Sequence, residues 1–270
     1  MTLAEQLAAA TLIDLEQPRR MGDPIAPVHA PGLVFGLHRR HEPGLGRRTS
    51  ASGLICTPEH AGTHVDALSH QAEDLCMHGG VRVDATVQTS TGFAEHGVER
   101  LPPLVRPGVL LDLPALRGLD GPLPPDELIS AEELRAAAEA SPQPIEPGCV
   151  VLVRTGYGAC WDDPERYLRA PGIAREGSEW LAAQAVAAVG ADNVVWDSLD
   201  RWDDVTDSIL PGHVILLVRA GIPIVENLRL EQLARAAPRE FTVVVLPLKY
   251  VGGTGSPVRP LAIVPSAGGS

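Results

Sequence analysis

Three histidines and one aspartate fall within eleven residues, in the stretch His60-Ala-Gly-Thr-His64-Val-Asp66-Ala-Leu-Ser-His70. Imidazole nitrogen and carboxylate oxygen form a ligand set that suits Zn²⁺, Mn²⁺ or Fe²⁺. A group of solvated surface histidines is the plain alternative, but the chain has only nine histidines in all. The density of ligating side chains therefore favours a metal site.

The spacing of these four side chains indicates how they meet. A helix would place His60 and His64 on one face, but Gly62 between them disfavours a helix. In an extended segment His64 and Asp66 point to the same side, because side chains alternate along a strand. A turn at Gly62 carries His60 back, so that three ligands close on one ion. Catalytic sites typically keep three protein ligands and an open position, which leaves His70 for proton transfer.

A second stretch with suitable chemistry runs from residue 212 to residue 227 and is strongly apolar except for His213 and Glu226. Its first part reads either as a helix that ends at Gly221 or as a buried strand. Glu226 stands at the end of a short predicted strand, and ligands gather at the carboxyl ends of parallel strands. A surface histidine and a helix-capping glutamate are the alternative.

The elements that would position these residues alternate between strand and helix. Continuous apolar runs bounded by Gly and Pro predict strands buried on both faces, beginning near residue 12 and then at 108–113, 149–154, 193–197, 222–225 and 241–246. Helical patterns lie at 4–10, 130–140, 178–189 and 230–237, with a capping box at Ser130 and Glu133 and a helix stop at Gly190. This alternation indicates an α/β core.

Residues from about 16 to 48 are rich in Gly, Pro, Arg and His and show little periodicity, which predicts a long irregular segment. Long loops are often functional, so one of His29, His38 and His41 is a candidate to face a substrate; a solvated or partner-facing loop is the alternative. We find no linker and no internal repeat, and therefore expect residues 1–270 to form one domain.

Composition excludes several classes of function. The formal net charge is −12 and Lys249 is the only lysine, so no surface for nucleic acid is expected. No apolar run reaches the roughly 18 residues of a membrane span, and no signal peptide is recognisable. The cysteines at 56, 76, 149 and 160 lack CxxC spacing, which indicates free thiols and a cytoplasmic protein. Cys56 and Cys76 flank the histidine stretch and are either soft metal ligands or buried inert residues.

The pattern H-x-G-T-H-x-D-x-x-x-H over residues 60–70 resembles the signature of the metal-dependent cyclase family, which includes bacterial kynurenine formamidases and isatin hydrolases. Leu68 stands where that signature usually has proline, so the chain is more similar to the longer-chain branch than to the formamidase branch. The run from Pro247 to Pro257 also matches the longer-chain branch. The resemblance extends from Ile13 to about Ile263.

The resemblance implies a swivelling β/β/α fold and a divalent ion, Zn²⁺ or Mn²⁺, bound by His60, His64 and Asp66. His213 and Glu226 match the residues that complete a second metal site sharing Asp66 in the formamidase branch. Other members work with one ion, so one or two ions per subunit are expected. The resemblance also implies a homodimer or homotetramer in which the N-terminal segment covers an active site.

These features together predict a metal-dependent hydrolase that cleaves an amide, imide or lactam C–N bond of a small molecule, with His70 as acid and base. The alternatives are a metal-dependent cyclase or lyase, a lactone hydrolase, and a metal-binding protein without catalysis. The glycine-rich run 252–256 is either an oxyanion-binding loop or a plain turn. Trp196 and Trp202 bracket an acidic run that either forms a pocket rim or belongs to packing.

Overall fold

A nine-stranded mixed sheet forms the centre of the protein. The computed structural model describes residues 2–44 and 47–266. The strands of the whole protein, in chain order, are β1 Thr11–Asp14, β2 Val34–Arg39, β3 Ser52–Cys56, β4 His64–Asp66, β5 Cys76–Met77, β6 Val81–Arg82, β7 Gln88–Thr89, β8 Gly92–Phe93, β9 Leu104–Asp112, β10 Leu128–Ile129, β11 Val150–Arg154, β12 Gly172–Ile173, β13 Ala188–Ala191, β14 Ile224–Glu226, β15 Thr242–Val245, β16 Gly255–Pro257 and β17 Leu261–Val264. The sheet has the order β1-β17-β15-β9-β11-β13-β14-β4-β16.

The middle of this sheet is parallel and buried on both faces. Strands β9, β11, β13 and β14 run parallel to one another, whereas β4 pairs antiparallel with both β14 and β16. Within β11, Val151 and Val153 belong to one apolar cluster, and Val150 and Leu152 belong to another. Burial on both faces explains the continuous apolar runs of these strands. The predicted α/β fold class is confirmed.

Short helices connect and cover the strands. They are α1 Leu3–Ala9, α2 Leu113–Leu116, α3 Ala131–Ala140, α4 Pro164–Tyr167, α5 Arg175–Ala183, α6 Pro211–His213 and α7 Glu231–Ala236, and a π-helical segment, Val214–Ala220, continues α6. The predicted capping box of α3 is present, since Glu133 N donates to Ser130 Oγ at 3.2 Å and Ser130 N donates to Glu133 Oε2 at 3.1 Å. The helices predicted at 4–10, 130–140 and 230–237 are confirmed.

Two predicted elements are wrong. The helix predicted to end at Gly190 ends at Ala183, and residues 188–191 form strand β13 between β11 and β14. The Ala-rich sequence favours a helix locally, but complete burial in the sheet decides the outcome. Residues 193–197 form no strand, because their backbone groups bond to scattered partners: the Trp196 amide donates to Glu226 Oε1 at 2.7 Å, while the Trp196 carbonyl accepts from the Ile173 amide at 2.9 Å.

The N-terminal segment is less irregular than its composition predicts. Strands β2 and β3 pair antiparallel into a hairpin, and a 3₁₀ turn, Pro27–His29, precedes it. Every residue of both strands is exposed, including Phe35 and Ile55, the latter at 64%. Residues 45 and 46 of the predicted segment lie outside the described residues, as do residues 1 and 267–270 of the chain.

The described cysteines are free thiols, as the sequence predicts. Cys149 and Cys160 are buried, whereas Cys56 is exposed and Cys76 is half-buried, so the expectation of buried inert thiols beside the histidine stretch is wrong. Strand β3 carries Cys56 out on the exposed hairpin. Across residues 2–44 and 47–266, none of the helices has both the length and the apolar character that crossing a membrane requires.

Candidate metal centre

Strand β4 places two of the predicted ligands side by side. His64 and Asp66 are the first and last residues of this strand, and the His64 Nε2 atom lies 3.4 Å from Asp66 Oδ1. Both side chains are buried, while Val65 between them belongs to an apolar cluster. The alternation of a strand therefore directs two donors to one side, as the sequence predicts.

The turn at Gly62 returns a third donor to the same place. Gly62 has a φ of +63°, and a Cβ atom there would lie 2.6 Å from Arg19 Nη1. Arg19 Nη1 in turn donates to the carbonyl of Ala61 at 2.5 Å, which holds the turn. After the turn is formed, His60 Nδ1 lies 2.8 Å from Asp66 Oδ1. The side chains of His60, His64 and Asp66 thus meet because a strand carries two of them and a glycine turn returns the third.

The second stretch closes on Asp66 from the other side. The chain is helical through His213 and leaves the helix at Gly221, which has a φ of 70°, so the helical alternative is right. The His213 Nε2 atom lies 3.5 Å from Asp66 Oδ2 and 3.5 Å from Glu226 Oε1. Glu226 ends β14, and its Oε2 atom lies 3.3 Å from His64 Nε2.

The separations of these donor atoms fit a divalent cation. Two ligands at about 2.0–2.2 Å from one tetrahedral ion lie about 3.3–3.6 Å apart. The contacts among His64, His213, Asp66 and Glu226 are 3.3 to 3.5 Å long, beyond the range of strong hydrogen bonds. Asp66 Oδ2 is buried and makes no hydrogen bond within the described residues. An unsatisfied buried carboxylate oxygen among imidazoles is the arrangement that a cation stabilises.

Hydrogen bonds on the far side of two imidazoles select the nitrogen that faces the carboxylates. His64 Nδ1 donates to the Gly62 carbonyl at 2.8 Å, and His213 Nδ1 donates to Asp197 Oδ2 at 2.6 Å. Each Nε2 atom is therefore free to bind a metal ion. The sequence placed Asp197 only on an acidic run, because its partner His213 lies 16 positions further along the chain.

The charge balance of the centre also calls for a cation. Burial disfavours the imidazolium form of His64, but hydrogen bonds with Asp66 and Glu226 outweigh burial and raise its pKa to about 10. Burial likewise opposes the charged form of His213, but Asp197 and Asp66 raise its pKa well above the ordinary value. Protons on these two imidazoles thus supply positive charge, and a metal ion that bound there would displace them.

Two further imidazoles lie against this centre. The His70 ring lies 4.0 Å from the His60 ring and 5.8 Å from the His213 ring, measured between centroids. The His29 ring stacks on His60 at 4.8 Å and lies 6.2 Å from His70. Burial, followed by the charges of His60 and its neighbours, lowers the pKa of His29 to about 4, so this imidazole is neutral near pH 7.

His70 is also neutral in this setting. Burial lowers its pKa well below the ordinary value against the opposing charge of Asp66, and the charges of His60, His213 and His64 also lower it. Its donor atom lies within 4.8 Å of donors on Asp66 and His213. A neutral imidazole at this distance has a lone pair available to accept a proton.

Other histidines singled out in the sequence do not reach the centre. His38 and His41 belong to the exposed N-terminal segment, where they hydrogen-bond to Ser52 at 3.0 Å and to Thr49 at 2.7 Å. Of the three histidines in that segment, only His29 approaches the metal centre. Sequence periodicity could not separate them, because the approach depends on the path of an irregular chain.

The structure also shows the surroundings of the glycine-rich run and of the two tryptophans. The amides of Gly252 and Thr254 donate to carboxylates of Glu99 and Glu59 at 2.8 and 2.9 Å, so this run is a turn whose amides have partners inside the protein. Trp196 is completely buried and belongs to packing, while Trp202 is 59% exposed.

Comparison with known sequences agrees with this geometry. The family model named Cyclase, described as "Putative cyclase", matches residues 13–198. Kynurenine formamidase of Bordetella avium (strain 197N) is 30% identical over 190 residues, which cover 68% of this chain and 76% of that protein. Cyclase-like protein 3 of Oryza sativa subsp. japonica is 27% identical over 209 residues; the match covers 76% of this chain and 63% of the rice protein.

Solved structures agree as well. A crystal structure of a novel cyclase superposes with a TM-score of 0.81 at 26% identity, covering 96% of this chain and 89% of that one. Isatin hydrolase A from Labrenzia aggregata, bound to benzyl benzoate, has the same fold, with a TM-score of 0.72, 23% identity, and coverage of 98% and 96%. The fold and the centre define an α/β protein with a His, Asp and Glu cluster that fits a divalent ion. The chain belongs to the Cyclase family.

Proposed function

We propose that this protein is a metal-dependent hydrolase that cleaves an amide, cyclic amide or imide, or lactam C–N bond of a small molecule. The observation that carries the proposal is the convergence of buried imidazoles on the Asp66 carboxylate, whose Oδ2 atom makes no hydrogen bond among the described residues. Related proteins named kynurenine formamidase and isatin hydrolase support a C–N bond as the target.

His60, His64 and Asp66 would bind one Zn²⁺ or Mn²⁺ ion, and His213 and Glu226 would bind a second ion that shares Asp66. The donor set is nitrogen and oxygen, which suits either metal. When bound, the metal supplies an activated water molecule and stabilises negative charge on the carbonyl oxygen. If only one ion binds, His213 and Glu226 orient the attacking water by hydrogen bonds.

His70 would serve as the general base and then as the general acid. Its neutral imidazole lies beside both His60 and His213, with ring centroids 4.0 and 5.8 Å away. It accepts a proton from the attacking water and delivers that proton to the leaving nitrogen. The delivery matters because an amide anion is too basic to leave without protonation.

Paired substitutions test this division of roles. We expect His70→Ala to retain its metal and lose about 10²- to 10⁴-fold in kcat, the usual contribution of a general acid–base residue. Asp66→Ala should lose both metal and turnover, whereas His38→Ala, on the exposed hairpin, should resemble wild type. Equal turnover in His70→Ala and His38→Ala would contradict the role assigned to His70.

The reaction class is tested with formylated arylamines, isatins, cyclic imides and lactones in ¹⁸O-labelled water. Hydrolysis places one labelled oxygen in the carboxylate product. A lyase or cyclase would give a product without the label, and turnover of lactones in preference to every amide would indicate a lactone hydrolase. Stoichiometric metal with no turnover of any of these substrates would favour a non-catalytic metal-binding protein.

We also propose a homodimer or homotetramer of single-domain subunits that acts in the cytoplasm on a small-molecule substrate. The hairpin leaves Phe35, Leu37, Leu54 and Ile55 between 45% and 67% exposed, and exposed apolar patches mark protein interfaces. Strands β1 and β17, from opposite ends of the chain, lie side by side, which supports one domain. The free cysteines support a reducing compartment. A monomeric mass in light scattering would contradict the assembly.

A further inference from the structure

We propose that Glu59 and Thr254 are positioning residues that hold the His60 imidazole with its Nδ1 atom, not its Nε2 atom, toward Asp66. The inference rests on the proposed function, because its consequence is the affinity of this centre for a divalent ion. Neither residue is in the donor cluster itself; Thr254 lies in the glycine-rich run 252–256, and Glu59 directly precedes the histidine stretch.

The hydrogen bonds behind His60 form a chain with one possible direction. The Thr254 hydroxyl donates to Glu59 Oε2 at 2.6 Å, and the Thr254 amide donates to the same oxygen at 2.9 Å. A hydroxyl has a single hydrogen, so the Thr254 oxygen can only accept from its other neighbour. That neighbour is His60 Nε2, at 2.9 Å. The Nε2 atom must therefore carry a proton.

The direction of this chain decides what His60 offers to the centre. With Nε2 committed to Thr254, the nitrogen that faces the centre is Nδ1, which lies 2.8 Å from Asp66 Oδ1. That separation is a hydrogen bond when Nδ1 carries a proton, and Nδ1 would offer its lone pair to a cation when the proton leaves. Glu59 and Thr254 thus prepare His60 as a ligand.

The glycine-rich run provides the space for this arrangement. A Cβ atom at Gly253 would lie 2.5 Å from Glu59 Oε1, and one at Gly255 would lie 2.7 Å from His60 Cε1. Residues 255–257 form β16, which pairs with β4 so that Gly255 lies opposite Asp66. The turn that carries Thr254 is therefore fixed to the strand that carries the carboxylate. Glycine is required here for close approach.

Substitution of Thr254 tests the chain of hydrogen bonds. Thr254→Val keeps the shape and removes the hydroxyl, so His60 loses the group that fixes its tautomer. We expect the affinity of apo-protein for Zn²⁺ to fall about 10- to 100-fold, the usual effect of losing such a partner. Thr254→Ser keeps the hydroxyl and should stay close to wild type. Glu59→Gln keeps a hydrogen-bond acceptor but removes its charge, so its zinc affinity should lie between those of Thr254→Val and Thr254→Ser.

Thr86→Val is the matched control. The Thr86 hydroxyl and amide donate to a single carboxylate oxygen, Asp84 Oδ1, at 2.6 and 2.7 Å, but this pair is exposed and bonds to no histidine among the described residues. Removing its hydroxyl should leave zinc affinity unchanged. The control therefore separates loss of the histidine partner from loss of a threonine–carboxylate pair.

Zinc affinity is measured on chelator-stripped full-length protein by competition with a chromophoric chelator, together with thermal unfolding of each variant. The inference is supported if Thr254→Val binds 10- to 100-fold more weakly while Thr254→Ser and Thr86→Val bind like wild type. It is overturned if Thr254→Val binds like Thr86→Val, even when its unfolding midpoint is lower. If Thr254→Val does not fold, unchanged affinity in Glu59→Gln overturns it. Wild-type protein that binds neither Zn²⁺ nor Mn²⁺ overturns the proposed function and this inference together.

Discussion

Replacing Asp197 by Asn should weaken metal binding without removing any ligand. Asp197 is almost completely buried, and its two oxygens accept three hydrogen bonds. Oδ1 accepts from the Gly212 amide at 2.6 Å, while Oδ2 accepts from the amide and from Nδ1 of His213 at 3.1 and 2.6 Å. Asparagine has only one oxygen, so in either orientation its NH₂ group faces a donor.

The magnitude follows from which bond is lost. If the NH₂ group faces His213, the imidazole must move its proton to Nε2, the atom that faces Asp66 and Glu226. If the NH₂ group faces Gly212, a buried amide loses its partner. A hydrogen bond to a charged group contributes about 1.5–3 kcal/mol, which corresponds to roughly 10- to 100-fold in metal affinity.

The assay is the apparent dissociation constant for Zn²⁺ at fixed neutral pH, with thermal unfolding measured in parallel. Asp203→Asn is the control, because Asp203 also accepts backbone and side-chain hydrogen bonds, from Thr206, but is only partly buried and bonds to no histidine in the described part of the chain. Folded Asp197→Asn protein that binds Zn²⁺ as tightly as Asp203→Asn would refute the reasoning.

Three other substitutions test separate features. His29→Ala should lower kcat/KM about tenfold with unchanged metal content and no change in the pH profile near neutrality, since a pKa of about 4 keeps His29 neutral there; loss of metal would contradict this. Burial, followed by the charge of Asp192, raises the pKa of the Glu231 carboxyl from 4.5 to about 7. The stability that the protonated carboxyl gives the folded protein is therefore complete below pH 4.5 and is lost as the pH rises through 7. In urea titrations, the free energy of unfolding of Glu231→Gln should therefore exceed that of wild type by up to about 3 kcal/mol at pH 8 and by little at pH 5. An equal difference at both pH values would contradict this prediction. Gly62→Ala should destabilise the protein by about 1–3 kcal/mol in the same titrations, because of its positive φ and the approach of Arg19, and unchanged stability would show that the turn adapts.

Much of the donor set could be predicted because it depends on local geometry. The two-residue period of a strand is enough to pair His64 with Asp66, and Gly62 signals the turn that returns His60. The position of Glu226 at the end of a parallel strand followed from its place after a short apolar run. The roles of these residues as ligands remain predictions until metal binding is measured.

The supporting residues could not be predicted, because each acts across a long separation in the chain. Thr254 reaches His60 from 194 residues away, and Asn227 donates to the Gly62 carbonyl across 165. A single sequence carries no local signal for such contacts. The strand wrongly predicted at 193–197 failed for a related reason, since its Trp196 amide bonds to the distant Glu226 side chain and its Asn193 carbonyl accepts from the Asn227 amide, in place of one continuous sheet partner.

The central claim is that Asp66 holds a divalent ion, and elemental analysis tests it most directly. Wild-type protein and Asp66→Ala are dialysed against metal-free buffer at neutral pH, and bound metal is counted per subunit by plasma mass spectrometry. We predict one or two equivalents of Zn²⁺ or Mn²⁺ in wild type and none in Asp66→Ala. Wild-type protein without a stoichiometric ion, whose turnover is unaffected by chelators, would contradict the claim.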